Sequence, residues 1–302
     1  MIKRKSLLLV LALMVLMTFV FSACGSTNSG DNSASSASSS TAVAPADSTS
    51  STADTDSTAD ATTGDSNKSD VLRVGMEVGY PPMEMLDPND GLTVVGFDVD
   101  VAKEVAKRLG YKDIKIVSTA WDGIFAALDT NKYDVIVSAV SIKPDREAAY
   151  ALTKAYVANR QVLVTKKGDD SIKSPEQEGK KIGLQQGTTA EDYVKGEIAN
   201  GKKINYQAYQ KVTQPFADLK IGRINAVLVD VVVAGYYVVQ DKESYQIAWE
   251  SPDKEPMALC FAKKNADLRD KANKALDDMQ ADGSMEKISI KWFSQDITKG
   301  IE

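Results

Sequence analysis

The chain has 302 residues, a formal net charge of −6, no histidine and two cysteines. Nucleic-acid binders are usually basic, so a mildly acidic chain argues against that class. The lack of histidine and of any cysteine cluster removes the usual zinc ligands and the usual general base, so neither metal nor cofactor is expected.

Residues 1–24 open with Lys3-Arg4-Lys5, run through an apolar stretch from Leu7 to Phe21 and end at Ser22-Ala23-Cys24. Basic residues, then an apolar run, then small residues form the pattern of an exported and cleaved signal peptide. Ser22-Ala23-Cys24 resembles the bacterial lipobox, in which Cys24 is lipidated and becomes the first mature residue. Phe21 departs from the leucine usual there, and a plain cleavage site beside an incidental cysteine is the alternative. Residues 25–69 are dominated by Ser, Thr, Ala, Asp, Gly and Asn. Such a stretch buries too little apolar surface to offset chain entropy, which predicts a disordered linker. A lipid anchor followed by this leash implies a domain held beside a membrane on its extracytoplasmic face. Roughly 230 residues remain to fold, enough for one large domain or two lobes.

The folded part begins with a strand over Val71–Met76 and a loop stiffened by Pro81 and Pro82, which carries Glu77 and Tyr80. Phe97-Asp98-Val99-Asp100 opens an amphipathic helix that ends at Gly110, and Lys112–Ser118 forms a second strand. Trp121 precedes a helix over Asp122–Leu128. Val135–Ser138 is apolar without alternation, as in a strand covered on both faces. Beyond it Ser138, Ser141 and Arg146 collect at the strand's carboxyl end, where open α/β sheets bind ligands, and Pro144 is expected to block an immediate helix. Arg146 there suits either a carboxylate clamp or an ion pair on a surface turn.

A weak internal echo follows, since Phe125–Val137 can be laid on Phe216–Leu228 without a gap. Both read as helix, turn and buried strand, and Ala139 falls opposite Asp230. Two such units suggest two lobes facing one cleft. In the second, Gln161–Thr165 and Lys181–Leu184 read as strands, and Thr188 with Glu191 three residues on forms a capping-box pattern. Asp230 stands at the mouth of Ala226–Val229, where a carboxylate needs a partner, either a ligand or a neighbouring helix. Met257–Phe261 reads as a strand, followed by helices over Leu268–Asp282 and Met285–Phe293.

These stretches, with Tyr80-Pro81-Pro82, Gly96-Phe97-Asp98-Val99-Asp100, Trp121-Asp122-Gly123, Pro144-Asp145-Arg146, Gln186-Gly187-Thr188-Thr189 and Lys291-Trp292-Phe293, stand in the order found in bacterial extracellular solute-binding proteins of family 3, the polar amino acid receptors of ABC importers. The chain resembles that family from Val71 to Phe293. The resemblance implies an α/β fold of the type II periplasmic-binding-protein kind, with two lobes, each a mostly parallel sheet flanked by helices, hinged by two crossing segments. Residues 70–158 and 256–302 would form one lobe and 159–255 the other. It further implies that Arg146 clamps the α-carboxylate of a free L-amino acid with Thr188 or Thr189, and that Asp230 receives the α-ammonium. Tyr80 and Trp121 would flank the side chain, while Ser138, Ala139, Ser141 and Gln186 line the site. Glu77 would meet the far end of the side chain, with Lys or Arg favoured over Gln. Ala139 replaces the Ser or Gly of many relatives, which leaves only backbone contacts at that position. Delivery to a membrane permease by a monomeric, non-enzymatic lipoprotein is the function so implied. A sensing domain for a separate signalling partner, or a cyclohexadienyl-dehydratase-like enzyme, are the rivals.

Overall fold

The computed structural model describes residues 70–301. The expected signal peptide, Cys24 and the expected linker up to residue 69 lie outside the described residues.

The chain runs β1 (Val71–Met76), β2 (Met85–Leu86), β3 (Val94–Val95), α1 (Phe97–Arg108), β4 (Asp113–Ser118), α2 (Trp121–Asp129), β5 (Val135–Ser141), α3 (Pro144–Ala149) and β6 (Tyr150–Leu152). It continues through β7 (Gln161–Lys166), β8 (Lys181–Gln185), α4 (Thr189–Ala199), β9 (Asn205–Tyr209), α5 (Thr213–Ile221), β10 (Ala226–Asp230), α6 (Val231–Gln240) and β11 (Tyr245–Glu250). It then returns as β12 (Met257–Ala262), α7 (Ala266–Ala281) and α8 (Ser284–Phe293).

Two five-stranded sheets result, ordered β4-β1-β5-β12-β6 and β11-β7-β10-β8-β9. Each is parallel where strand–helix–strand units build it. Antiparallel pairing enters through β12, beside β5 and β6, and through β7, beside β10 and β11. Helices form where one stripe can be buried: α1 hides Phe97, Val101, Ala102, Val105 and Ala106, a repeat that keeps to one side of the cylinder. The chain passes between the sheets twice, after β6 and after β11. The two passages are joined by backbone bonds from Ser251 N to Gln161 O and from Glu255 N to Asn159 O, both 2.8 Å. Trp292 and Phe293 serve packing: the indole N–H donates to Asp100 Oδ2 at 2.7 Å, and Phe293 meets Phe97 edge-on at 5.4 Å.

Three local expectations are corrected. β5 does not stop at Ser138 but runs to Ser141, because β12 pairs with its far end at Ser141↔Met257 and Val140↔Ala258. The register slips before Cys260↔Ile136, and Ala139 takes a left-handed φ of 48°. An irregularity of this kind bends a strand and re-aims its side chains. Pro144 starts α3 instead of blocking it, since a proline at the first helical position has a suitable φ and its missing N–H would have had no partner there. Thr188 makes no side-chain cap on α4; its hydroxyl donates to Gln185 O, and Glu191 accepts the N–H of Gly187 instead.

The internal echo is structural. β5 lies parallel to β1 with Gly75↔Ile136, and β10 lies parallel to β8 with Gly183↔Val227, the counterparts in the gapless alignment. A Cβ on Gly75 would sit 2.4 Å from the Tyr133 ring, and one on Gly183 would sit 2.5 Å from Ile224 Cδ1. Tyr133 and Ile224 are themselves counterparts. Gly75→Ala is therefore expected to lower stability by about 1–3 kcal/mol through overpacking, read as a lower urea midpoint at unchanged slope.

Candidate functional site

One cavity, about 300 Å³ when the open solvent at its mouth is included, is lined by Glu77, Tyr80, Trp121, Ser138, Ala139, Ser141, Arg146, Gln185, Thr188, Thr189 and Asp230. The strand ends of both sheets supply it. From the first come Glu77 just past β1, Tyr80 from the following loop, Trp121 at the start of α2, three residues of β5, and Arg146 from α3. From the second come Gln185 at the end of β8, Thr188 and Thr189 at the start of α4, and Asp230 at the end of β10.

Two opposite charges are buried there, Arg146 at 5 % exposure and Asp230 at 6 %. Arg146 Nη1 donates to Ser141 O at 2.9 Å, and the guanidinium carbon lies 5.4 Å from the Trp121 ring centre and 5.2 Å from that of Phe125. Burial draws its pKa down. Asp145 and Asp192, whose fields reach it, are each ion-paired to Lys143. The guanidinium therefore keeps donors facing the cavity with no carboxylate bound to them among the described residues. Such a planar fork suits a carboxylate.

Asp230 accepts from Tyr80 OH at 2.5 Å, from Asn159 Nδ2 at 2.8 Å and from Gln161 Nε2 at 2.7 Å. Burial raises its pKa, and these bonds and Arg146 pull it back. Gln161 Nε2 also donates to Glu255 Oε2 at 2.7 Å, and Thr189 Oγ1 reaches the same oxygen at 3.1 Å. Residues of both crossing passages thus converge on Asp230. At another part of the wall, Gln185 Nε2 donates to both oxygens of Glu77, at 2.7 and 2.9 Å. Burial lifts Glu77 to a pKa of about 7, with the Gln185 bond opposing the rise.

Ten of the eleven residues anticipated for the site surround this cavity. Gln186 does not: it is exposed, and its backbone N–H pairs with Tyr209 O. Its neighbour Gln185 is the residue that lines the wall, because β8 extends one residue further than its apolar run suggests. Strand pairing, and not the sequence echo, makes the correspondence visible: Gln185 follows Gly183 by two positions as Glu77 follows Gly75.

Contacts between the two sheets' elements close the cleft at Tyr80–Asp230, Glu77–Gln185, Lys143–Asp192 and Trp121 Nε1 to Gly187 O, the last at 2.9 Å. Trp121→Phe keeps an aromatic face, though a smaller one, and removes the N–H. It is expected to weaken closure by about 0.5–1.5 kcal/mol, seen as a larger radius of gyration in small-angle scattering of ligand-free protein.

Comparison with known proteins agrees with this architecture. A family model of bacterial extracellular solute-binding proteins, family 3, matches residues 72–295. The L-cystine-binding protein TcyJ of Escherichia coli is 33% identical over 230 residues, 76% of this chain and 84% of the relative. ABC transporter arginine-binding protein 1 of the same organism is 30% identical over 238 residues, covering 77% and 95%. A solved structure of an ancestral arginine-binding protein bound to arginine is 38% identical with a TM-score of 0.70, covering 74% of this chain and 99% of that one. With two α/β lobes, a cleft at their strand ends and this match across its folded length, the chain belongs to the bacterial extracellular solute-binding proteins of family 3.

Proposed function

We propose that this protein captures a free polar L-amino acid in the interlobe cleft outside the cytoplasm and delivers it to the permease of an ABC importer. The observation that carries the reading is the pair of buried opposite charges, Arg146 and Asp230, facing one cavity from different sheets. A zwitterion presents one anion and one cation, and burying both partners is tolerable when each is satisfied. Arg146, with Thr188 and Thr189, takes the α-carboxylate, and Asp230 takes the α-ammonium. Tyr80 and Trp121 flank the side chain, Ser138, Ala139 and Ser141 line the first-lobe wall, and Glu77 with Gln185 meets the distal end. A ligand touching both lobes favours the closed form through contacts it makes only there. The lobes divide at 158/159 and 255/256, with the junctions acting as hinges. The protein binds rather than turns over its ligand, works as a monomer, and is anchored by lipid at Cys24 through the 25–69 linker.

Relatives named for arginine, cystine and histidine share this frame. Within that range the acid at Glu77 and the aromatic faces of Tyr80 and Trp121 favour a cationic side chain, Arg or Lys, over Gln. Calorimetric titration against the twenty amino acids tests the reading. Arg146→Ala should retain the fold, judged by circular dichroism, and lose at least about 100-fold in affinity, as expected when a bidentate pair of charge-assisted hydrogen bonds is removed. Tight binding by that variant, or wild-type preference for an acidic amino acid, would sink the proposal.

The pH dependence has a definite sign. Glu77 has a pKa of about 7 in this closed cleft, and a cationic terminus prefers its ionised form. Affinity for L-arginine is thus expected to rise as pH increases toward 7 and to level off above it, while Glu77→Gln removes its share of the rise and leaves that of Glu255, which burial and the field of Asp230 also lift to about 7. Titrations between about pH 5.5 and 8.5 check this.

A further inference from the structure

Behind the cavity wall lie two carboxyl groups that do not line the cavity. Glu84, in the loop after Pro82, and Asp98, the second residue of α1, are both 0 % exposed. Ser138 Oγ donates to Glu84 Oε1 and accepts the N–H of Glu77 at 3.0 Å. Asp98 Oδ2 accepts the N–H of Ala139 at 2.8 Å, and its Oδ1 accepts the hydroxyl of Tyr156 at 2.6 Å. Three residues of the cavity wall, Glu77, Ser138 and Ala139, therefore hang on this pair. The bond to Asp98 also restrains Ala139 at its left-handed φ of 48°.

The chemistry of the pair is unusual in one respect. Glu84 Oε2 is buried and has no hydrogen-bond partner as an acceptor. The groups that act on the two acids from the surrounding elements are Glu77 and Tyr80 from the loop, Ser138 and the Ala139 N–H from β5, and Tyr156 from the first crossing passage. Neither lysine nor arginine is among them in the described residues. Two adjacent carboxylates without a cation cannot both stay ionised in a dry site. A proton on Glu84 converts the orphan oxygen into a donor and gives it a partner in Asp98, with which it is in hydrogen-bonding reach.

We propose that Glu84 and Asp98 hold one proton between them as a neutral-acid to carboxylate hydrogen bond, and that this pair is the positioning element for Ser138, Ala139 and the backbone of Glu77. The proton resides on Glu84, because Asp98 already receives two donors and needs none of its own. Burial and the field of Asp98 push Glu84 well above the ordinary glutamate range, in keeping with that assignment. The positioning half rests on reading the cleft as an amino acid site. The shared proton does not.

Three measurements test it. In the ligand-free protein at about pH 8, infrared spectroscopy should show a protonated carboxyl band that disappears in Glu84→Gln; a wild-type spectrum without the band overturns the shared proton, whether or not the variant folds. Thermal midpoints supply the linkage. An unfolded glutamate is ionised above about pH 4.5, so the wild type must keep a proton that its unfolded chain has released, and its stability falls as pH rises above that value. The amide introduced by E84Q cannot titrate, so the midpoint of that variant should gain on that of the wild type steadily from about pH 5 to pH 8. A gap constant with pH overturns the proposal. The third readout is affinity for L-arginine and L-cystine. Glu84→Gln keeps an acceptor for Ser138 and a donor for Asp98, and should bind within about threefold of wild type, whereas Glu84→Ala should lose about tenfold or more. Equal affinity in all three proteins overturns the positioning role. If neither probe binds the wild type, the same comparison is made with whichever of the twenty amino acids binds it most tightly; if none binds, the positioning role falls together with the amino acid reading, while the spectrum and the midpoints still decide the proton.

Discussion

A guanidinium and a carboxylate, each about 95 % hidden, cannot be left unpaired in the same cleft without a cost of several kcal/mol per ion. The fold meets this constraint by dividing the work. Asp230 is held by three donors from Tyr80, Asn159 and Gln161, while Arg146 rests on one carbonyl and two aromatic rings. Asp230 is well solvated by the protein and Arg146 is not. On the proposed reading, the larger deficit lies on the side that takes the ligand's carboxylate, so the anion contributes more to closure than the ammonium does.

The halves of the cleft are variants of one unit. β1, α2 and β5 correspond to β8, α5 and β10, down to the glycine that lets Tyr133 in one and Ile224 in the other approach the neighbouring strand. Because parallel strands in such units end at the same side, both halves direct the residue two positions past that glycine toward the cleft. Those residues are Glu77 and Gln185, and they meet each other. The crossing passages then bring Asn159 and Gln161 to Asp230, with Glu255 joined to them through Gln161, so the acid assigned to the ammonium on the proposed reading is wired to the segments about which the lobes would turn.

How much of this the sequence announces depends on the range of the forces involved. Strands with unbroken apolar runs and helices with a single buried stripe were legible, as were the charged residues standing at strand mouths, because burial pattern alone determines them. What was not legible depends on partners distant in the chain. β5 outlasts its expected end because β12, far along the chain, pairs with it. Pro144 begins a helix because its neighbours turn there, and Thr188 gives up its cap because Gln185 O and Glu191 offer alternatives. Gln185 itself was hidden by a one-residue extension of β8, the kind of boundary that local pattern fixes least well.

Selectivity would follow from the same meeting of the halves. In the closed cleft both oxygens of Glu77 are engaged by a single amide nitrogen, an arrangement that uses one strong bond and leaves the carboxyl poised near neutrality. A ligand with an amide terminus offers Glu77 little that Gln185 does not already supply. A guanidinium or ammonium offers a charge, and its arrival both displaces a neutral donor and stabilises the ionised acid, which is a differential gain instead of an exchange of equals. The proposed preference for a cationic side chain therefore rests less on the presence of an acid at position 77 than on the neutral partner that the opposite lobe has placed against it.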